Sequence, residues 1–240
     1  MKKKRKNNKK KPNYIMKAFK EKDNFLRICL IIAAILLILV SIIIYIQNHV
    51  CPQEDQWSSV WKPIIYIYPK EETKVKITVS NPENFTVTYP KYQDGWEVIA
   101  KEDGTLIDNN KKEYYALYWE GKNKNNKIKE DGFVIKGEDT SSFLEEKLKV
   151  LGLNNKEANE FIIYWLPKLE KNKYNYIRFQ SLEEINDYMK LHIEPTPDTL
   201  IRVLMEYKPL EKEIKVKEQK LQPVERQGYT VVEWGGNIIK

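Results

Sequence analysis

Hydrophobic and polar residues follow three different patterns along this chain of 240 residues. Nineteen consecutive residues, Ile28 to Ile46, carry no charge, which is the pattern of a long apolar helix. Beyond residue 63, short runs alternate between apolar and polar positions, the period of two that is typical of half-buried strands. Between residues 143 and 169 the apolar positions recur every three or four residues, as in a helix. The patterns predict one N-terminal apolar helix followed by an α+β domain.

The predicted strands are short and are separated by turn residues. Val75, Ile77 and Val79 alternate with polar residues, which predicts a strand with one solvated face. Asp103-Gly104 favours the type I′ turn of a two-residue β-hairpin. Because short connections favour antiparallel pairing, we expect a mostly antiparallel sheet assembly, with strands at 64–68, 75–79, 85–89, 96–102, 105–108, 113–120, 133–136, 174–179, 199–207 and 229–234.

Three helices are predicted within the domain. In a capping box, a Ser or Asn side chain and a Glu three residues later bond to each other's backbone N–H groups. Gly152 is placed to end the first helix, and Pro167 to kink or end the second. The first two helices are expected to form a hairpin that packs on one sheet face. The three predicted capping boxes are Ser142–Glu145, Asn154–Glu157 and Ser181–Glu184.

The apolar helix has the length and the flanking charges of a membrane span. Nineteen helical residues measure roughly 28 Å, close to the ~30 Å hydrocarbon core of a bilayer. Twelve Lys and Arg residues precede it, whereas Glu54 and Asp55 are the first charged residues after it. Because positive charge stays on the cytoplasmic side, we expect a single-pass cell-membrane protein with its N-terminus in the cytoplasm. The expected segments are a basic cytoplasmic tail at 1–27, a transmembrane helix at 28–46, a tether at 47–61 and an extracytoplasmic domain at 62–240.

A cleaved signal peptide and a lipoprotein are the two alternatives to this anchor. Signal peptides have an apolar core of about 7–15 residues followed by small residues at the cut. Here the core is longer, and Tyr45 to Val50 contains no small residue. Cys51 likewise lacks the small preceding residue that lipid attachment needs. Both observations favour an uncleaved helix.

The positive charge of the chain is concentrated in the tail. The net charge is +7, but residues 1–27 contain twelve basic and two acidic residues, so the remainder has a net charge of −3. A domain without a basic surplus is a poor candidate for a nucleic-acid partner. The tail is instead expected to attract anionic lipid, so that the lipid bilayer is the first expected partner.

Few residues are suited to metal, nucleophilic or phosphate chemistry. The chain has two His and two Cys, whereas zinc usually needs three or four such ligands at short spacing. It contains no Gly-x-Ser-x-Gly elbow and no glycine-rich phosphate loop. We therefore expect no metal site and no cofactor.

The remaining candidates are carboxylates beside tryptophans at strand ends: Trp119 with Glu120, and Glu233 with Trp234. Arg202 interrupts an apolar run, and a buried arginine would need Glu120 or Glu233 as its partner, with both tryptophans in the core. Alternatively, all five residues line a binding cleft, because aromatic rings stack on sugars. Two carboxylates ~5–10 Å apart across such a cleft are also the arrangement of a glycosidase.

Three longer motifs stand out: Lys-Pro-x-Ile-Tyr-x-Tyr-Pro from Lys62, Glu-Tyr-Tyr-x-Leu-Tyr-Trp-Glu-Gly from Glu113, and Val-Val-Glu-Trp-Gly-Gly from Val231. They resemble a family of uncharacterised, mainly bacterial proteins, and the similarity extends from about Lys62 to Gly236. That family has no established activity, so the resemblance implies a recurring domain and no catalytic residue.

Together these observations predict an anchored domain that binds at the cell envelope, with a polymer or a protein as its partner. The alternative is a carboxylate-dependent hydrolase that acts on cell-wall or extracellular glycan. The sequence leaves both open.

Overall fold

The chain consists of two compact units, residues 1–54 and 55–240. The computed structural model describes residues 14–49, 57–124 and 127–239. Parts of the predicted tail and of the predicted tether, residues 1–13 and 50–56, therefore lie outside the described residues.

The described part of the first unit forms one long helix, α1 (Tyr14–His49). Its segment Phe25–Ile42 has a mean hydropathy of 3.0 and is long enough to cross a membrane. No Gly or Pro interrupts α1, so nothing in its sequence opposes a continuous helix. The predicted N-terminal apolar helix is confirmed as a helix.

The second unit is built on two sheets. The large sheet has the strand order β12-β8-β9-β11-β13-β1-β7-β3, and the small sheet has the order β10-β2-β4-β5-β6. All neighbours are antiparallel except the parallel pairs β11–β13 and β12–β8, which confirms the α+β class with mostly antiparallel sheets. The strands are β1 (Trp57–Tyr68), β2 (Thr73–Val79), β3 (Phe85–Tyr89), β4 (Trp96–Ala100), β5 (Leu106–Asp108), β6 (Glu113–Tyr114), β7 (Leu117–Lys124), β8 (Asp131–Lys136), β9 (Tyr174–Phe179), β10 (Leu191–Glu194), β11 (Thr199–Leu210), β12 (Lys217–Glu218) and β13 (Thr230–Ile238).

Strand β1 lies between β13 and β7 and contains a bulge. It begins at Trp57, five residues before the expected start of the domain. Its register with both neighbours shifts just before Ile64, and Lys62 has a φ of +55°. A residue that precedes proline is normally extended, so Lys62, followed by Pro63, has an unusual backbone conformation.

Three helices accompany the sheets: α2 (Thr140–Val150), α3 (Asn155–Leu169) and α4 (Leu182–Met189). The capping boxes at the starts of α3 and α4 are confirmed. The one predicted for α2 is wrong, because α2 starts earlier, after a 3-10 turn, and Ser142 lies inside it with its hydroxyl bonded to the Asp139 carbonyl. Gly152, with a φ of +85°, follows the end of α2, whereas α3 continues through Pro167.

The large sheet lies between two apolar cores. On one face, Ile65, Leu204 and Val231 pack with residues of the small sheet and of α4. On the other face, Ile64 and Trp234 pack with residues of α2 and α3. Helices α2 and α3 also contact each other, but their arrangement as a hairpin stays a prediction. Successive residues along a central strand of the large sheet therefore face different cores.

The hairpin between β4 and β5 corrects one turn prediction. A type I′ turn needs a positive φ at both central residues, but of Asp103 and Gly104 only Gly104 has one, at +88°. The Gly104 amide donates to the Lys101 carbonyl, and the Lys101 amide donates to the Thr105 carbonyl. This is a three-residue loop with glycine in the left-handed position, so the place of the turn was predictable and its type was not.

Candidate functional site

Arg202 and Glu233 form a buried ion pair inside the large sheet. Arg202 Nε donates to Glu233 Oε2 at 2.6 Å, and both side chains are fully buried. The other carboxylate oxygen accepts from Trp119 Nε1 at 2.8 Å. Arg202 lies opposite Glu233 on the adjacent strands β11 and β13, and Trp119 reaches Glu233 from β7, on the far side of β1. The carboxylate of Glu233 is therefore held by two buried donors.

A second nitrogen of Arg202, Nη1, binds helix α4, whereas Nη2 has no hydrogen-bond partner within the described residues. Arg202 Nη1 donates to the Met189 carbonyl at 2.7 Å and to Asn186 Oδ1 at 3.0 Å. The network thus connects β7, β11, β13 and α4 across the core between the two sheets. We interpret it as a device that fixes α4 against the large sheet.

Trp234 and the glycines after it also belong to the core. The Trp234 ring lies 5.4 Å from the Phe161 ring, centre to centre. A Cβ on Gly235 would come within 2.9 Å of the Pro63 nitrogen, and a Cβ on Gly236 within 2.6 Å of the Met205 carbonyl oxygen. The Val-Val-Glu-Trp-Gly-Gly motif is therefore explained by close packing around β13.

The five residues predicted as a possible cleft do not share one. Glu120 follows Trp119 on β7 and so faces the opposite side of the large sheet. Trp119 and Glu233 meet in the core, whereas Glu120 lines a surface groove. Since Glu120 and Glu233 lie on opposite faces, they are not the carboxylate pair of a glycosidase.

That surface groove has a volume of about 690 Å³ and is the candidate functional site. It lies on the helix-covered face of the large sheet, between α3 and the edge strand β3. Tyr164 of α3 contributes one wall, and Tyr89 of β3 contributes another. Tyr89 and Tyr115 are more than half exposed, at 53% and 58%. The lining residues are Lys62, Ile64, Tyr89, Glu113, Tyr114, Tyr115, Ala116, Tyr118, Glu120 and Tyr164.

Lysine ammonium groups lie over four of the five groove tyrosines. Lys62 Nζ is 4.9 Å and Lys168 Nζ 3.6 Å from the centre of the Tyr164 ring. Lys112 Nζ is 5.2 Å from the rings of both Tyr89 and Tyr114, and Lys156 Nζ is 5.3 Å from that of Tyr115. These are cation–π distances. None of the four lysines forms a salt bridge within the described residues.

Three of the groove tyrosines, Tyr115, Tyr118 and Tyr164, keep their hydroxyl protons to a higher pH than usual because their pKa is raised. Burial, together with a hydrogen bond to the negatively charged Glu120, raises the pKa of Tyr118. Burial and the charge of Glu120 also raise the pKa of Tyr164, and burial and Glu160 raise that of Tyr115. Their hydroxyl groups are therefore neutral donors, beside the acceptor oxygens of Glu120 and Glu113.

Sequence reasoning missed most of this groove. Of the residues that line the groove, only Glu120 was predicted as a site residue, because the prediction was based on tryptophans beside carboxylates. The predicted strand at 113–120 is wrong as a single strand, because it divides into β6 of the small sheet and β7 of the large sheet. The signal was present in β7, where Tyr118 and Glu120 share one face while Leu117 and Trp119 share the other. The contributions of Lys62 and Tyr164 depend on tertiary structure and have no local signal.

Within the described residues, no group of three or more His, Cys, Asp or Glu side chains is arranged to hold a metal ion. Comparisons of the chain with protein-family models, with curated proteins and with solved structures find no significant match. The resemblance of the three motifs to a bacterial family therefore stays a prediction.

Proposed function

We propose that the protein is a single-pass membrane protein whose C-terminal domain lies outside the cytoplasm and binds a glycan polymer of the cell envelope. The observation that carries the proposal is the tyrosine-lined groove. Its volume lies within the roughly 300–1,000 Å³ of typical ligand sites. Exposed rings such as Tyr115 offer stacking surfaces, and hydroxyl and carboxylate groups such as those of Tyr118 and Glu120 offer partners for sugar hydroxyls.

The membrane anchor is supported by α1. All residues from Phe25 to Ile42 are exposed, including thirteen large apolar side chains. Such a helix is stabilised by hydrocarbon rather than by water. The twelve basic residues before its apolar part favour a cytoplasmic N-terminus.

A thiol-labelling experiment tests the topology. Cys51 follows the apolar stretch, whereas Cys29 lies within it. In intact cells, a membrane-impermeant maleimide is expected to label the wild-type chain and not Cys51→Ser. Labelling only after the cells are broken would contradict the proposed orientation.

A glycan array tests the binding function. The full-length chain in nanodiscs is expected to bind polymeric glycans, and Tyr115→Ala to lose about tenfold in affinity because one stacking surface is removed. Ile163→Ala is the matched control, since Ile163 is 73% exposed on α3 and does not line the groove. Equal binding by wild type and Tyr115→Ala would contradict the use of this groove. If the chain bound no glycan and instead captured a protein, a protein partner would be favoured.

A further inference from the structure

We infer that the groove selects an anionic polymer, one in which a polyhydroxylated backbone carries regularly spaced carboxylate or phosphodiester groups. This inference rests on the proposed function and adds the charge of the ligand to it. It depends on the four lysines that lie over the groove tyrosines.

None of these lysines forms a salt bridge in the described part of the chain; for Lys112, the hydrogen bond to Tyr89 and, more weakly, the charge of Asp108 raise the pKa. Lys62 and Lys156 have ring contacts but no carboxylate within salt-bridge distance in the described part of the chain. Lys112 donates to the Tyr89 hydroxyl at 3.1 Å, and Lys168 donates to the Tyr164 carbonyl at 2.9 Å. Neither of those acceptors is a carboxylate. One of the four, Lys62, lines the groove together with the carboxylates of Glu113 and Glu120, and the other three lie over the rings of groove tyrosines.

Positive charge is most concentrated around Tyr164. Lys62 and Lys168 both lie over its ring, and burial together with the charges of Lys62 and Lys171 lowers the pKa of Lys168. Like charges held this close are stabilised when an anion binds between them. The contrast with the rest of the molecule is clear, because the chain beyond residue 27 has more acidic than basic residues.

The backbone of Lys62 supports the same conclusion. A φ of +55° is disfavoured for a residue with a Cβ, and more so before proline. Strained residues of this kind concentrate at ligand sites. Glycine would adopt the conformation at lower cost, so a lysine at this position reduces stability relative to glycine.

The arrangement favours a sugar or polyol chain over a purely acidic polypeptide. The anionic groups meet the lysines at the rim, while the rings and hydroxyls of Tyr89, Tyr115 and Tyr118 contact the backbone of the polymer. Recognition therefore needs both parts of the ligand. Charge alone, as in polyglutamate, engages only the lysines.

The test uses the full-length chain in phosphatidylcholine nanodiscs and four soluble polymers of matched length. Polygalacturonate and poly(glycerol phosphate) carry the two kinds of anion, the methyl ester of polygalacturonate is the neutral match, and poly-L-glutamate carries charge without sugar. At least one of the first two is expected to bind tenfold or more tightly than the ester and polyglutamate, and less tightly as salt rises. The preferred polymer identifies the anion.

Variants assign this selectivity to the groove. Lys62→Gln and Lys168→Gln are each expected to weaken binding of the preferred polymer three- to tenfold, whereas Lys149→Gln, at an exposed position on α2, is not. Lys62→Gly is expected to weaken binding equally while the thermal midpoint stays constant or rises. The basic residues of the tail are the same in every variant, so their contribution is equal throughout.

Four results would overturn the inference. Binding of the ester as tightly as the better of polygalacturonate and poly(glycerol phosphate) would remove the preference for charge and leave the proposed function standing. Polyglutamate that binds as tightly as the best anionic polymer would remove the sugar or polyol from the ligand. Binding of none of the four polymers would contradict the anionic selectivity and would count against glycan binding as well. An equal loss of affinity in Lys149→Gln would contradict the anionic selectivity of the groove.

Discussion

Two regions of the domain combine acidic, basic and aromatic side chains, but they differ in access to solvent. In the core, Glu233 accepts hydrogen bonds from Arg202 and Trp119, and all three side chains are buried. In the groove, lysines lie over half-exposed tyrosines, and Glu120 faces the same space. The first set has its charges paired, whereas the lysines of the second have no carboxylate partner in the described part of the chain.

The comparison shows why residue type alone does not identify a site. Both regions include carboxylates beside aromatic residues. By residue type alone, the core set resembles a catalytic cluster more closely than the groove does. The two regions lie on opposite faces of strand β7, because Trp119 points into the core and its neighbour Glu120 points into the groove. A site is better identified by a charged group that the fold leaves without an opposite charge.

The largest expected effect is on Glu233. Glu233→Gln leaves the charge of Arg202 buried and unpaired, and we expect a loss of about 3–5 kcal/mol in the free energy of unfolding. Urea unfolding followed by tryptophan fluorescence measures it, since all six tryptophans lie at or beyond residue 57. The matched control, Glu120→Gln, is expected to change stability by less than about 0.5 kcal/mol. Equal effects of the two substitutions would remove the distinction between the regions.

The next effect concerns the glycines after Trp234. Gly236→Ala places a Cβ against the Met205 carbonyl and the Trp165 ring, where backbone has to move. We expect a destabilisation of up to about 3 kcal/mol, as for other overpacked core positions. The same unfolding assay measures it. An unchanged urea midpoint would show that this part of the core is packed more loosely than its contacts indicate.

The pH dependence of stability provides a third test of the core. Burial raises the pKa of Tyr229 to about 12, and within the described residues its hydroxyl has no hydrogen-bond partner. Because the folded state holds the proton more tightly than the unfolded state, this stability is complete below pH 10. It is lost as the pH rises from 10 to 12, by roughly 2 kcal/mol. Tyr229→Phe is expected to reduce that loss in unfolding curves between pH 8 and 12. An identical alkaline loss in the variant would assign it to other groups.

The smallest expected effect on stability is in the groove. Tyr118→Phe removes the hydroxyl that bonds Glu120, and we expect a stability change below about 1 kcal/mol. Affinity for the polymer is expected to fall three- to tenfold, because a donor and the position of Glu120 are both lost. A titration of the variant in nanodiscs measures this change. Lost stability with unchanged affinity would make Tyr118 part of the core rather than of the groove.

The elements with local signals were predictable from sequence. The apolar helix, the α+β class, the strands with alternating residues and the capping boxes at Asn154 and Ser181 follow from contacts within a few residues. The two-residue strand β12 and the four-residue strand β10 were not predicted, because both are too short to be distinguished from a loop, although Leu191–Glu194 alternates between buried and exposed positions.

The candidate site was only partly predictable. Burial of Arg202 against a carboxylate was one of three open interpretations, but the choice of Glu233 over Glu120 depends on the strand register. The groove depends on the helix layer ending at α3 and on the bulge at Lys62. Both are properties of packing between distant segments, which no local pattern encodes.

Tyrosine labelling tests most directly the claim that the groove, and not the buried network, meets the ligand. A tyrosine-selective diazonium reagent, read out by mass spectrometry, is applied to the full-length chain in nanodiscs with and without saturating polymer. We expect Tyr89 and Tyr115 to react in the free chain and to be protected by the polymer, while the reaction of Tyr174, outside the groove, stays constant. Unchanged labelling of Tyr89 and Tyr115 at saturation would contradict the claim.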